Sequence, residues 1–351
     1  MPGRREPHRE HHAAERLTVF SDPIVATLWL LVLLALVFDF LNGFHDAANS
    51  IATVVSTRVL KPYQAVVWAA FFNLLAIYVF EPKVAATIGT GIIDPAFVDD
   101  AVICGALCGA IVWNLVTWYF GIPSSSSHAL IGGLIGAGMA KSGPATLLAP
   151  GIMKVAVFIV LSPVLGLLIG GLLMLGISWA CFRIAPMRLD RWFRRAQLVS
   201  SALYSLGHGA NDAQKTMGII WLLLMSRGLA TQHHLPLWVM VSCYGAIALG
   251  TLMGGWRIIK TMGQKLTPLT PASGSAASAG GAITLFLASG YGIPVSTTHT
   301  ITGAILGAGA VQNPSRTRWD IASALVYAWV LTIPAAALIA ALAYWVTRAL
   351  F

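Results

Sequence analysis

The octapeptide Gly121-Ile122-Pro123-Ser124-Ser125-Ser126-Ser127-His128 returns as Gly292-Ile293-Pro294-Val295-Ser296-Thr297-Thr298-His299, 171 positions later (299 − 128). The register holds beyond the polar run, because Gly132, Gly136 and Gly138 fall on Gly303, Gly307 and Gly309. One hydroxyl cluster in an oily chain is compatible with helix packing alone, where Ser and Thr bond backbone carbonyls or let helices approach closely. Two clusters in register, each with a proline in front and a histidine behind, read instead as one binding site assembled from an internal repeat. Duplicated apolar segments interrupted by Gly and Pro are the sequence sign of a carrier's substrate site at mid-membrane depth.

Composition sets the environment. Hydrophobic residues make up 57% of the chain and charged residues 10%, against about 25% charged in an average soluble domain. With 34 Gly and 12 Trp in addition, the chain reads as a polytopic membrane protein. Apolar stretches run at 24–44, 63–80, 101–120, 123–140, 152–182, 197–225, 235–259, 279–292, 295–311 and 320–350, which predicts ten to twelve membrane segments. Cys104, Cys108, Cys181 and Cys243 lie inside apolar stretches without a CxxC pair, so they read as small hydrophobes and not as a disulfide framework or zinc site. The net charge of +9 reflects basic loops at the cytoplasmic face and calls for no nucleic-acid partner. Arg183, Arg188, Arg191, Arg194 and Arg195 separate the halves on that face, joined by Arg257, Lys260 and Lys265, while the loop with Asp94, Asp99 and Asp100 is placed outside.

The chain divides into a polar tail over 1–22, a first repeat over 23–182, a basic cytoplasmic linker over 183–196 and a second repeat over 197–351. The tail is too polar for a cleavable signal peptide and reads as a disordered extension, its His8, His11 and His12 being adventitious metal binders. Residues 267–281, rich in Ser, Ala, Gly and Pro, read as a loop running into a helix.

Each half also opens with a polar signature. The first is Asn42-Gly43-Phe44-His45-Asp46-Ala47-Ala48-Asn49-Ser50, and the second is His208-Gly209-Ala210-Asn211-Asp212-Ala213-Gln214-Lys215-Thr216. Both follow apolar runs directly, which puts His45, Asp46, His208 and Asp212 at membrane depth. An Asp there costs about 2.5–3.5 kcal/mol on insertion scales, so such residues default to a functional reading.

Proline lacks an N–H and fits the first turn of a helix, so Pro123 and Pro294 are each expected to begin a half-helix. The following residues would then present free backbone N–H groups, the hydroxyls of Ser124, Ser125, Ser126, Ser127, Ser296, Thr297 and Thr298, and the positive end of the helix dipole. That combination binds oxyanions. Asn49 and Asn211 add amide groups, while Asp46, Asp212 and Gln214 complete a set of hard oxygen ligands for Na⁺ or for a divalent metal travelling with the anion; Asp46 and Asp212 are the candidate metal ligands. A carboxylate at depth can alternatively carry a proton. Asp39, seven residues before Asp46, either assists cation binding or pairs with Lys215. His45, His128, His208 and His299 are assigned supporting places: His128 and His299 either orient the hydroxyls or contact the anion, and no spacing among the four supports haem or metal ligation. Trp113, Trp118 and Trp238 read as interfacial or packing aromatics, and Asn73 as an interhelical hydrogen bond or a gate residue.

These residues resemble the inorganic phosphate transporter (PiT) family of secondary carriers. The resemblance rests on both polar signatures, on Ala52-Thr53-Val54-Val55-Ser56-Thr57-Arg58, on both proline–hydroxyl–histidine motifs and on Gly254-Gly255-Trp256-Arg257-Ile258-Ile259-Lys260-Thr261-Met262-Gly263, and it covers roughly residues 24–350. It implies an all-α polytopic membrane protein of two inverted-topology repeats with broken or re-entrant helices, a phosphate site between them, and symport with Na⁺ or H⁺. By motif position, Asp46, Asn49 and Asp212 take the family's anion and cation-site places, and Ser125, Ser126, Ser127, Ser296, Thr297 and Thr298 its phosphate-contacting places. Two departures, His45 in the first signature and Gln214-Lys215 in the second, resemble the bacterial proton-coupled branch. The absence of a long central hydrophilic loop fits a compact prokaryotic form, in the bacterial plasma (inner) membrane. No cofactor is expected, and a homodimer stays open.

Three rival readings remain at this point. The same fold could carry sulfate, which competition between the two anions would reveal. An intramembrane hydrolase could use one of the four serines with His128, but Ser and His so close on one half-helix rarely reach nucleophile-to-base geometry, and a third member is unassigned. A passive anion channel would show uptake independent of any ion gradient.

Overall fold

Gly121 and Gly292 hold the left-handed backbone at φ +66° and +64°, and both end a helix in the same way. The Gly121 and Ile122 N–H groups return to the Trp118 and Thr117 carbonyls (3.0 and 2.9 Å), and those of Gly292 and Ile293 to Ser289 and Ala288 (3.1 and 2.8 Å). This is a Schellman closure, with glycine in the position that a side chain would strain and proline next to prevent continuation. The new helix then starts on a serine cap. Ser125 Oγ accepts the His128 N–H (3.2 Å), and Ser296 Oγ accepts the His299 N–H (3.1 Å). The helices therefore begin at Ser126 and Thr297, three residues later than a proline-initiated start. Serine outcompetes proline here because its hydroxyl satisfies an orphan donor, whereas proline only removes one.

The computed structural model describes residues 23–232 and 234–350, so the tail over 1–22 lies outside the described residues. Twelve α-helices occupy them. The first half holds α1 (Pro23–Ser56), α2 (Pro62–Leu75), α3 (Lys83–Gly91), α4 (Asp100–Phe120), α5 (Ser126–Ser142) and α6 (Ala149–Ala180). The second holds α7 (Pro186–Ser226), α8 (Leu237–Met253), α9 (Trp256–Lys260, extended by a π-helical turn over Thr261–Lys265), α10 (Pro271–Gly290), α11 (Thr297–Gln312) and α12 (Trp319–Leu350). The basic stretch read as a linker forms the first turns of α7, and Thr270 caps α10 where a loop was expected to run into a helix.

Among the described residues, only α1, α4, α6 and α12 are individually long and apolar enough to cross a membrane, and six crossings result if each bent pair counts as one span. The bends are 80° where α2 passes into α3 and 62° where α8 passes into α9. The protein is a multi-pass membrane protein; this criterion of length and composition yields four to six crossings and does not confirm the ten to twelve membrane segments expected. The reason is physical: α5 and α11 are only 17 and 16 residues long, and α7 carries buried Asn211, Asp212, Gln214 and Lys215 where a simple span would be apolar.

The halves exchange partners. α5 lies along α12 and α11 along α6, while α4 also packs on α12 and α10 on α6. A Cβ on Gly136 would overlap the Ala337 carbonyl, and one on Gly307 the Leu167 carbonyl, so each pair of backbones meets with no side chain between. Small residues at such crossings are what lets membrane helices associate. The outer faces of α6 and α12 carry exposed Val160, Val164, Leu168, Leu172, Val330, Leu338 and Leu342, the surface expected against lipid. Inside, one apolar cluster includes Leu130 and Leu134 of α5, and a second includes Ile301 and Ile305 of α11. The polar starts of those two helices sit at the junction.

Gly307→Leu is expected to lower stability by about 1–3 kcal/mol through overpacking. Gly245→Ala, in open space on α8, should instead gain about 0.5–1 kcal/mol from the unfolded state. Thermal unfolding in detergent compares them, and equal midpoints would refute the crossing described. Ser296→Ala should cost about 1 kcal/mol as a lost cap, seen as faster hydrogen exchange in the first turn of α11.

Candidate functional site

Residues 39, 42, 46 and 49 of α1 recur at three- and four-residue spacing, so their side chains share one helix face. Residues 204, 208, 212 and 215 do the same on α7. The two faces meet where α5 and α11 begin, and every side chain named below is buried unless stated otherwise.

Each carboxylate takes a hydroxyl from its own half. Ser126 Oγ donates between Asn42 Oδ1 (2.5 Å) and Asp46 Oδ2 (2.9 Å), and Thr297 Oγ1 donates to Asp212 Oδ2 (2.9 Å). Ser126 and Thr297 are counterparts in the repeat. The next residues are reached from the opposite half. Asn49 Nδ2 donates to Thr298 Oγ1 (2.9 Å) and to Thr297 Oγ1 (3.3 Å), while the Lys215 ammonium donates to Ser127 Oγ and Asp212 Oδ1 and to the Val295 carbonyl (2.7 Å). Ser127 Oγ in turn donates to the Val295 carbonyl (3.3 Å), and Thr298 Oγ1 lies 3.4 Å from Asp46 Oδ1. The structure thus brings Ser126, Ser127, Thr297, Thr298, Asp46, Asn49, Asp212 and Lys215 into one cluster.

Asp46, Asp212 and His208 each place a ligand atom within 4.8 Å of the others, a geometry that fits a cation. Two carboxylates at that separation repel by at least about 3 kcal/mol at an effective dielectric of 20. His45 Nδ1 stands 2.7 Å from Asp46 Oδ1, and His208 Nε2 lies 3.2 Å from Asp212 Oδ2, within ion-pair range but not aligned for a hydrogen bond. Asn73, on α2, settles into an interhelical network: its Oδ1 accepts from His208 Nδ1 (3.1 Å) and its Nδ2 donates to Thr251 Oγ1 (2.9 Å).

Other candidates are engaged elsewhere. Ser124 Oγ donates to Thr117 Oγ1 (2.9 Å) on α4, and Ser125 and Ser296 serve as caps. Gln214 Oε1 accepts the Val84 and Ala85 N–H groups (2.9 and 3.3 Å) and its amide donates to the Glu81 carbonyl (3.0 Å), so it caps α3 rather than joining the carboxylates. Asn211 pins the tip before α11, bonding Ser289 Oγ, the Ile293 carbonyl and the Val295 N–H, all at 3.2 Å. His45 occupies the corresponding place in the first half and holds Thr117 Oγ1 (3.1 Å). Asp39 does not pair with Lys215, whose three donors are taken; both Asp39 oxygens are buried without a hydrogen-bond partner. His128 and His299 orient no hydroxyl through their rings. They meet edge to face at 4.5 Å, and His299 stacks on Trp329 at 3.8 Å. Trp329 Nε1 also donates to the Pro123 carbonyl (3.0 Å). Trp113 donates to Thr332 (3.2 Å), and Trp118 and Trp238 pack on Phe44 and Trp29.

Sequence reasoning missed Asn42, Thr117, Tyr204 and the Val295 carbonyl. Asn42 was signalled by its place one turn before Asp46, and Tyr204 by standing eight residues before Asp212; Tyr204 OH donates to the Thr297 carbonyl (2.9 Å). Also missed were Thr87 on α3 and Thr261 after α9. Thr87 Oγ1 donates to the Gly292 carbonyl (2.7 Å) and Thr261 Oγ1 to the Gly121 carbonyl (3.0 Å), so each bent pair holds the helix break of the other half.

The sequence pattern of the phosphate transporter family matches residues 42–340. A probable low-affinity inorganic phosphate transporter of Rhizobium meliloti (strain 1021) is 60% identical over 315 residues, covering 90% of this chain and 94% of its own. A protein of the same description from Bacillus subtilis (strain 168) is 43% identical over 334 residues, covering 94% of this chain and all of its own (100%). A solved structure described as the sodium-dependent phosphate transporter matches with a TM-score of 0.85 at 25% identity, over 93% of this chain and 100% of that one. The breadth of the family match, together with relatives this similar over nearly their whole length, establishes that the chain belongs to the phosphate transporter family.

Proposed function

We propose that the protein is a symporter of the bacterial plasma membrane that carries inorganic phosphate inward with a cation, H⁺ or Na⁺, by alternating access. The observation that supports this most directly is the meeting of two serine-capped helix starts at a buried pair of carboxylates. The first N–H groups of α5 and α11 lack intrahelical partners and, with the hydroxyls of Ser126, Ser127, Thr297 and Thr298, offer donors to an oxyanion. Asp46 and Asp212 sit beside them as the places for the coupling cation. A divalent metal could enter with phosphate on the same Asp46–His208–Asp212 set. The phosphate transporters among the relatives support the substrate, and the sodium dependence stated for the solved neighbour supports cation coupling. No chemistry on the substrate is involved, since the relatives are transporters and the four serines are committed to capping and hydrogen bonding.

The carboxylates also favour phosphate over sulfate. An ionised Asp is an acceptor only. Phosphate near neutral pH keeps at least one proton to donate to it, whereas sulfate has none and meets two negative groups. Recognition built on such a donor rejects the analogue lacking it strongly. The swapped packing of α5 on α12 and α11 on α6 supports two inverted repeats that rock about the junction between the two apolar clusters.

Uptake of labelled phosphate into proteoliposomes with imposed Na⁺ or pH gradients tests the reading. Asp46→Asn should abolish gradient-driven accumulation while insertion is retained, and normal accumulation would refute the role of Asp46. Ser126→Ala combined with Thr297→Ala should raise the half-saturating phosphate concentration at least tenfold, about 1.4 kcal/mol; unchanged kinetics would move the anion elsewhere. Excess sulfate should compete at least ten times more weakly than unlabelled phosphate (again about 1.4 kcal/mol), and equal competition would favour an unselective oxyanion carrier.

A further inference from the structure

The repeat places different side chains at one position. Asn49 follows Asp46 by three residues, and Lys215 follows Asp212 by three. Both cross to the hydroxyl helix of the other half, and their targets, Thr298 and Ser127, are themselves counterparts. The Lys215 ammonium has three donors, and three oxygens take them: Asp212 Oδ1, Ser127 Oγ and the Val295 carbonyl. A carboxylate, a hydroxyl and a carbonyl from unwound backbone are the ligands that a desolvated monovalent cation takes in broken-helix carriers.

The first half has no such ammonium. The ion-pair partner of Asp46 among the described residues is His45. Asn49 Oδ1 is buried with no donor, and it stands on the amide whose nitrogen holds Thr298, next to the Asp46 Oδ1 and Thr298 Oγ1 pair 3.4 Å apart. A carboxylate, a hydroxyl and an unpaired amide carbonyl therefore belong to one hydrogen-bonded cluster there, with no lysine or arginine paired to them among the described residues.

We infer that Lys215 is a tethered cation: it fills in the second half the position that a free monovalent cation takes beside Asp46, Asn49 and Thr298 in the first. It is the residue that fixes ion demand, since two symmetrical open sites would take two free cations per phosphate and this chain takes one fewer. The inference rests on the phosphate–cation symport reading proposed above. Lys215 is a positioning and specificity residue in it, neutralising Asp212 and holding Ser127 toward the anion.

Dual-isotope fluxes of ²²Na⁺ and ³²P-phosphate in proteoliposomes test it with the full chain, Lys215→Asn and Lys215→Met. The Asn variant restores the residue found at the related position, and Met keeps length while offering neither charge nor oxygen. Lys215→Asn should carry one more Na⁺ per phosphate than the wild type and stop when Na⁺ is replaced by choline, whereas Lys215→Met should be at least tenfold slower in every medium. An unchanged ratio in Lys215→Asn, or equal Na⁺ rescue of both variants, overturns the inference. Direct binding of ³²P-phosphate separates the two levels: a wild type that binds none sinks the transport reading itself, while normal binding with an unaltered ratio sinks only the tethered cation. Should neither variant fold, ²²Na⁺ retained per bound phosphate on the wild type decides, with none or one in support and two against.

Discussion

Asp46 and Asp212 face each other in a region sealed from water, and neither can ionise there without donors and positive charge brought to it. A low-dielectric interior strengthens each such contact and penalises each omission. The surrounding architecture answers that demand. Two helices are broken so that their starts, with free N–H groups and capping hydroxyls, point at the carboxylates. Ser126 and Thr297 supply hydrogen bonds, and Lys215 supplies charge. The paired glycines on α5 and α11 let those helices press against α12 and α6 with backbone against backbone.

Duplication supplied matched positions, and divergence made them unequal. His45 and Asn211 occupy the same place and perform the same task with different chemistry, each holding the end of the helix before a break: Thr117 on α4 in one case, Ser289 on α10 in the other. Asn49 and Lys215 share a place but differ in charge. Ser124 and Val295 differ in side chain, yet the backbone carbonyl of Val295 is what matters to Lys215. A pseudo-symmetric frame thus holds an asymmetric set of ligands.

The sequence made the site's main members legible because each signal was local: a hydroxyl run after Gly-Ile-Pro, an Asp at membrane depth, an exact repeat spacing. It misplaced the helix starts because proline and serine both favour that end of a helix, and only the hydrogen bonds decide which one caps. Gln214 looked like a ligand since its neighbours are Asp212 and Lys215, but adjacent residues on a helix point in different directions, and its amide turns to α3. The number of crossings was not legible, because apolar runs do not distinguish a span from a half-helix, and α7 and α10 trade apolar residues for polar or small ones near the site. Which helix packs on which was not legible at all. The exchange of α6 and α12 between halves joins residues such as Leu167 with Gly307 (307 − 167 = 140 positions apart) and Gly136 with Ala337 (337 − 136 = 201), and no spacing within either half reports it.

The hydroxyls of Thr87 and Thr261 each clasp the tip glycine of the opposite half, Gly292 and Gly121. Together they form a reciprocal latch. Neither tip can withdraw without pulling on the kinked arm that belongs to the other half, so a displacement at one helix break is passed to the other half of the chain. Each clasp is a hydroxyl-to-carbonyl hydrogen bond, so the two halves are tied to one another at both helix breaks and not only at the buried carboxylates.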